Sequence, residues 1–67
     1  MAKFLASVEQ KAYRMALFAL RHHDDALDAV QDAMLQLVQN YSNRSDAEWS
    51  PLFHRILQNR IQDGYRR

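Results

Sequence analysis

The chain predicts an all-α fold, a compact bundle of three main helices with a short extra turn before the last of them. Three observations lead there. Apolar residues recur at three- and four-residue steps over three long segments, polar turn-forming residues separate those segments, and nothing alternates as a strand would or repeats internally.

The first helix is expected from about Phe4 to His22. Leu5, Val8, Ala12, Met15 and Ala19 form one apolar strip, and Tyr13, Ala16, Leu17 and Leu20 form a second beside it. So wide an apolar surface calls for two neighbours. His22-His23-Asp24-Asp25 then reads as a tight connection, with Asp24 as the N-cap whose carboxylate accepts free backbone N–H groups of the next helix.

The second helix is expected to extend to about Tyr41 and to be sharply two-sided. Asp25, Asp28, Asp32, Gln36 and Gln39 fall on one side, and Leu27, Val30, Met34, Leu37, Val38 and Tyr41 gather on the other. The apolar side is expected to pack inward. Asn40-Tyr-Ser-Asn-Arg-Ser-Asp46 follows as a polar loop, and its two Asn-x-Ser triplets are read as loop residues because no secretion signal precedes them. Ser45 and Glu48 have capping-box spacing, while Pro51 suits a first helical turn. Both signals are met by a short turn over Asp46 to Trp49 leading into a helix from Pro51 to about Tyr65, which Gly64 is expected to fray or cap.

Sixty-seven residues, 48% hydrophobic and 25% charged, suit one small globular domain. A chain this short buries only about 60% of the surface exposed when unfolded, so its stability should be marginal. The absence of cysteine excludes a disulfide framework and a thiolate metal site. The longest fully apolar run, Met15 to Leu20, is far short of the roughly 20 residues that span a bilayer, and the expected location is cytoplasmic.

The net charge of +1 hides a division along the chain. From His22 to Asn40 there are four acidic residues and no Lys or Arg, whereas Arg55 to Arg67 carries four arginines and one Asp. These two regions should attract different partners. On the last helix Trp49, Leu52, Phe53, Ile56, Leu57 and Ile61 fill the inward side, and Arg55, Gln58, Asn59, Gln62 and Arg66 line the outside. Guanidinium pairs with phosphate in a charge-assisted geometry, and carboxamides can hydrogen-bond base edges. A solvated helix face is the alternative for such a row.

Enzymatic constellations are weak. A single glycine cannot build a phosphate-cradling loop, no thiol is available as nucleophile, and no cofactor is implied. His22, His23 and Asp24 are adjacent on a helix end and diverge, which disfavours a metal site. Asp28 and Asp32 share a face, but a catalytic carboxylate pair needs a cleft.

Two segments carry a family resemblance. Asp25-Ala-Leu-Asp-Ala-Val-Gln-Asp-Ala-Met-Leu35 closely resembles the D-A-E-D-[LV]-[VT]-Q-E-[AV]-F-L segment of bacterial RNA polymerase sigma factors. Arg55-Ile-Leu-Gln-Asn59, with Asp63 and Arg66-Arg67, resembles their R-I-A-x-N-x-x-x-D-x-x-R-R segment. Both stand in the family's order and separation, and the resemblance covers about Ala12 to Arg67. The short loop looks most like the extracytoplasmic-function group, in its second conserved region. Leu27, Leu52 and Gly64-Tyr65 depart from the pattern, where Glu, Trp and a Leu-rich helix end are usual.

The resemblance implies a transcription initiation factor domain. Its acidic helix would dock on the coiled coil of the β′ clamp of core RNA polymerase, through Asp28, Gln31 and Asp32. The loop from Tyr41 to Glu48, including Ser42, Asn43 and Arg44, would accept a base flipped from the non-template strand of the promoter minus-ten element. Tyr41 or Trp49 could stack on such a base, although Trp49 stands where the family places a core Phe. Arg55, Asn59, Gln62 and Arg66 would follow the DNA strand. The family also has a helix-turn-helix domain reading the minus-35 element, absent here, so the chain is read as one domain of a longer protein; an anti-sigma factor is a further partner. The competing expectation is a small helical protein–protein interaction adaptor without DNA binding.

Overall fold

A computed structural model describes residues 1–65, with Tyr65 described in its backbone alone. It contains α1 (Ala2–Leu20), α2 (His23–Tyr41) and α3 (Asp46–Tyr65), and no strand among the described residues, in agreement with the expected all-α bundle. α2 packs along both other helices, whereas α1 and α3 meet less extensively. The molecule measures 33 × 20 × 15 Å, so its long axis is little more than one helix of 19 or 20 residues at 1.5 Å per residue.

α1 begins two residues earlier than expected and ends two earlier, at Leu20. Arg21 terminates it in the left-handed conformation (φ 57°, ψ 27°), donating its N–H to the Leu17 carbonyl at 2.7 Å. That is the geometry glycine usually supplies at a helix end, here adopted by a residue with a Cβ. The reversal brings α2 back antiparallel within two residues. His22, rather than Asp24, is the N-cap: its backbone is extended and its Nδ1 accepts from the Asp25 N–H at 3.5 Å. Asp24 and Asp25 lie inside the first turn, where their charge complements the exposed N–H groups.

The largest revision concerns α2. Its buried residues are Ala26, Ala29, Val30, Ala33 and Leu37, while Leu27 and Val38 are exposed, Leu35 more so, and Met34 and Tyr41 half-buried. The buried stripe is rotated by roughly 70° from the one that the larger apolar residues define. Two neighbours explain the rotation, because a helix wedged between two others presents its smallest side chains where both must approach. α1 matches it, burying Ala12 and Ala16. The large side chains of the core come mainly from α3: Trp49, Phe53, Ile56, Leu57 and Ile61 are buried as expected, and Leu52 is half-buried. Phe4 closes this end of the core, with its ring centroid 5.8 Å from Trp49 and 6.2 Å, edge to face, from Phe53.

α3 is one continuous helix rather than a turn followed by a helix, and Pro51 lies inside it. Proline removes the bond that would have reached the Ala47 carbonyl, but Ala47 and Pro51 are both exposed, so water can satisfy that oxygen. Trp49, Leu52 and Phe53 meanwhile hold both sides of the proline against the core. The capping box does not form as expected. The Glu48 N–H donates to the Ser45 carbonyl at 2.9 Å, and the Glu48 carboxylate lies 3.9 Å from Arg44. Gly64 lies within the helix and lacks the positive φ of a C-terminal cap; a Cβ there would come within 2.7 Å of Leu20 Cδ2, so its missing side chain makes room for the end of α1.

The two leucines of α2 on opposite sides of this rotation should respond differently to truncation. Leu37→Ala empties a fully buried position and should cost about 2–4 kcal/mol, whereas Leu35→Ala at an exposed one should stay within about 0.5 kcal/mol. Urea titrations followed by circular dichroism measure both, and equal losses would contradict the rotated stripe.

Candidate functional site

Two polar surfaces lie on separate helices. On α2, Asp25, Asp28 and Asp32 are exposed and line one shallow hollow together with Arg60, Asp63 and Gly64 of α3. Asp28 and Asp32 are one helical turn apart and share this edge. Gln31 sits about 60° round the helix from Asp28, beside the exposed Leu27 and Leu35. The three residues expected to dock on polymerase are therefore all outward-facing, but Gln31 lies within an apolar stripe that Asp28 and Asp32 flank, so they do not form a purely acidic patch.

Arg60 was not singled out in the sequence. It is half-buried at the α2–α3 seam, where the Gln36 carboxamide oxygen, turned toward it, accepts from its Nε at 3.1 Å and from an Nη. A cation thus borders the carboxylates of α2, although no ion pair within 4.0 Å joins it to them among the described residues. Local sequence offers no signal for this, since the partners lie on different helices.

The second surface starts at the end of α2. Ser42 to Ser45 make the connection, the Arg44 N–H donating to the Tyr41 carbonyl at 3.0 Å. The expected loop from Tyr41 to Glu48 is thus shorter, since Asp46, Ala47 and Glu48 already belong to α3. Ser42, Asn43 and Arg44 are exposed, and Tyr41 is half-buried with the Arg44 guanidinium 5.9 Å above its ring. Arg44 and Arg55 border a common open hollow whose floor is Ala47, Pro51 and Leu52, with Glu48 on its rim.

Asn59 is exposed one turn beyond Arg55. Gln62 is exposed too, but it opens onto a different hollow, beside Phe18 and Ile61. Arg66 lies outside the described residues. Tyr41, Arg44 and Arg55 are therefore gathered at one end, and the rest of the row runs away along α3.

Trp49 does not contribute a free stacking face. It is buried, and its Nε1–H donates to the Tyr41 carbonyl at 3.1 Å, pinning the end of α2 to the start of α3. His23 is held by Tyr13, whose hydroxyl is 2.6 Å from His23 Nδ1. Among the described residues no three His, Asp or Glu side chains gather as metal ligands would, and no helix is long and apolar enough to cross a membrane.

Because the Trp49 hydrogen bond fixes the connection, Trp49→Phe should lower stability by about 1 kcal/mol while keeping the ring packing. Thermal unfolding by circular dichroism would measure it, and an unchanged midpoint would show that this bond contributes nothing net.

No curated protein and no solved structure gives a significant match to the chain. A family model described as Sigma-70 region 2 matches residues 2–67, which takes in all three helices and both polar surfaces. Domains of that family bind core RNA polymerase and recognise promoter DNA in transcription initiation. The chain belongs to the sigma-70 family and is its region 2 domain.

Proposed function

We propose that the domain acts in a sigma factor of the extracytoplasmic-function type, working in the cytoplasm, by docking α2 on the β′ clamp coiled coil and holding the opened minus-ten element on α3. Asp28, Gln31 and Asp32 make the polymerase contact, and the exposed Leu27 and Leu35 beside them supply an apolar component to it. The segment around Tyr41, Ser42, Asn43 and Arg44 receives a base flipped from the non-template strand. Arg55, Asn59, Gln62 and Arg66 carry the strand onward through phosphates and base edges. A separate helix-turn-helix domain reads the minus-35 element, and an anti-sigma factor regulates access to the domain.

The observation that carries this reading is the shared hollow between Arg44 and Arg55. Two guanidinium groups border an apolar floor, with Glu48 on the rim 3.9 Å from Arg44 and the half-buried Tyr41 ring against the same Arg44, a combination suited to a phosphate and an unstacked base together. Melting then requires no chemistry. A surface that binds the separated strand better than the duplex shifts the opening equilibrium by its differential affinity.

Arg55→Ala should weaken binding to single-stranded minus-ten DNA and reduce the slope of log K against log salt by about 0.7, the loss of one phosphate contact. Fluorescence anisotropy across a salt series reads both quantities; unchanged affinity and slope would remove α3 from the DNA path. Asp32→Arg should abolish co-purification with core polymerase while the helical circular dichroism is retained. Wild-type recovery of that variant with polymerase would refute the α2 docking assignment.

A further inference from the structure

α1 and α3 diverge enough to leave an apolar groove that no residue of α2 lines. A cavity of about 380 Å³ has Val8, Ala12, Met15, Phe53 and Leu57 along its floor, and Met15 continues into a second hollow of about 560 Å³ beside Ala19 and Ile61. Phe18, 83% exposed, stands on the edge of the second hollow. From Val8 to Phe18 the groove follows α1 for about 15 Å. Its charged borders are Lys11 and Arg14, with His54 opposite, and no Asp or Glu lines either hollow.

The complementary surface is on the same molecule. The outward side of α2 presents Leu27, Leu35 and Val38, 37%, 54% and 39% exposed, with Asp24 between Leu27 and Leu35 and with Asp28 and Asp32 along one edge. This is an apolar helical stripe with carboxylates on one flank, and the groove is an apolar trough with cations on one flank. Like surfaces do not pair: groove against groove would bring Lys11 and Arg14 onto their counterparts, and α2 against α2 would bring aspartates together.

We propose that a second copy of the chain seats the Leu27–Val38 face of its α2 in the α1–α3 groove. The contact is heterologous, so each pair leaves one groove and one α2 face free and association continues with concentration instead of stopping at a dimer. The stripe is a few side chains wide, which places the contact among small, weak interfaces. Seating covers the α2 face assigned above to polymerase, so a copy whose α2 is seated cannot dock on polymerase at the same time. The two are tested separately, because the measurement below contains no polymerase.

Sedimentation equilibrium of the 67-residue chain from about 10 µM to about 1 mM, the range of a weak contact, tests the proposal. The weight-average mass should rise above 7.9 kDa with concentration and fall back with added salt. Lys11→Glu with Arg14→Glu removes the groove's cations, and Asp24→Lys with Asp28→Lys inverts the α2 flank. Each double variant alone should associate at least tenfold more weakly. Mixed in equal amounts they should associate again, since the first keeps an intact α2 face, the second keeps an intact groove, and the two inverted surfaces are once more opposite in charge. A wild-type chain monomeric throughout, a double variant that associates like wild type, or a mixture that stays monomeric would each overturn the proposal. Phe18→Ser, at a position outside the core, should also weaken association and decides the matter if a charge variant fails to fold.

Discussion

The close approach of α1 and α3 to opposite sides of one stripe of alanines is the constraint on which the rest of the structure depends. Ala26, Ala29 and Ala33 on α2, with Ala12 and Ala16 on α1, are all buried. An alanine buries little area, so these residues contribute less to stability by transfer from water than by the close contact they permit between helices. The large side chains of α3 then fill the space that remains. Replacing a fully buried one, such as Ala16, Ala26 or Ala33, with a larger residue would overpack the contact between helices.

That constraint also decides what α2 shows to solvent. Once its small side chains and Leu37 are used for packing, Leu27, Leu35 and Val38 are left at the surface or its edge, beside the aspartates. The resulting face is both apolar and acidic. Such a surface suits a protein partner better than an exclusively charged one would, because apolar burial supplies affinity while charge sets orientation and approach rate. Both the polymerase docking and the contact between copies that we propose use this one face, at different times.

On the opposite functional side, the short connection from Ser42 to Ser45 depends on Trp49. Its ring lies in the aromatic cluster with Phe4, and its N–H holds the last carbonyl of α2. The exposed polar residues of the connection are thereby carried on a rigid base, which lowers the ordering cost of any strand that binds them. Arg60 and Gln36 do similar work at the α2–α3 seam, and they temper the negative charge of α2 without burying an ion.

Much of this was legible in the residues alone. Helical periodicity gave three helices, the polar clusters gave the two connections, and the inward side of α3 was identified because its aromatic and branched residues repeat at one spacing. The two motifs gave the family. Periodicity misjudges α2, where bulk does not mark the interior; with two neighbouring helices, size works against burial at the closest approach. It also placed the N-cap at Asp24 rather than His22 and broke α3 at Pro51, since neither the left-handed turn at Arg21 nor the packing on both sides of the proline is written locally. The chain by itself determined which helices form and which charges they carry. Only the tertiary structure decided which way α2 turns, that Arg60 borders its aspartates, and that α1 and α3 part to leave a groove, because each of these depends on distances between helices that no single segment encodes.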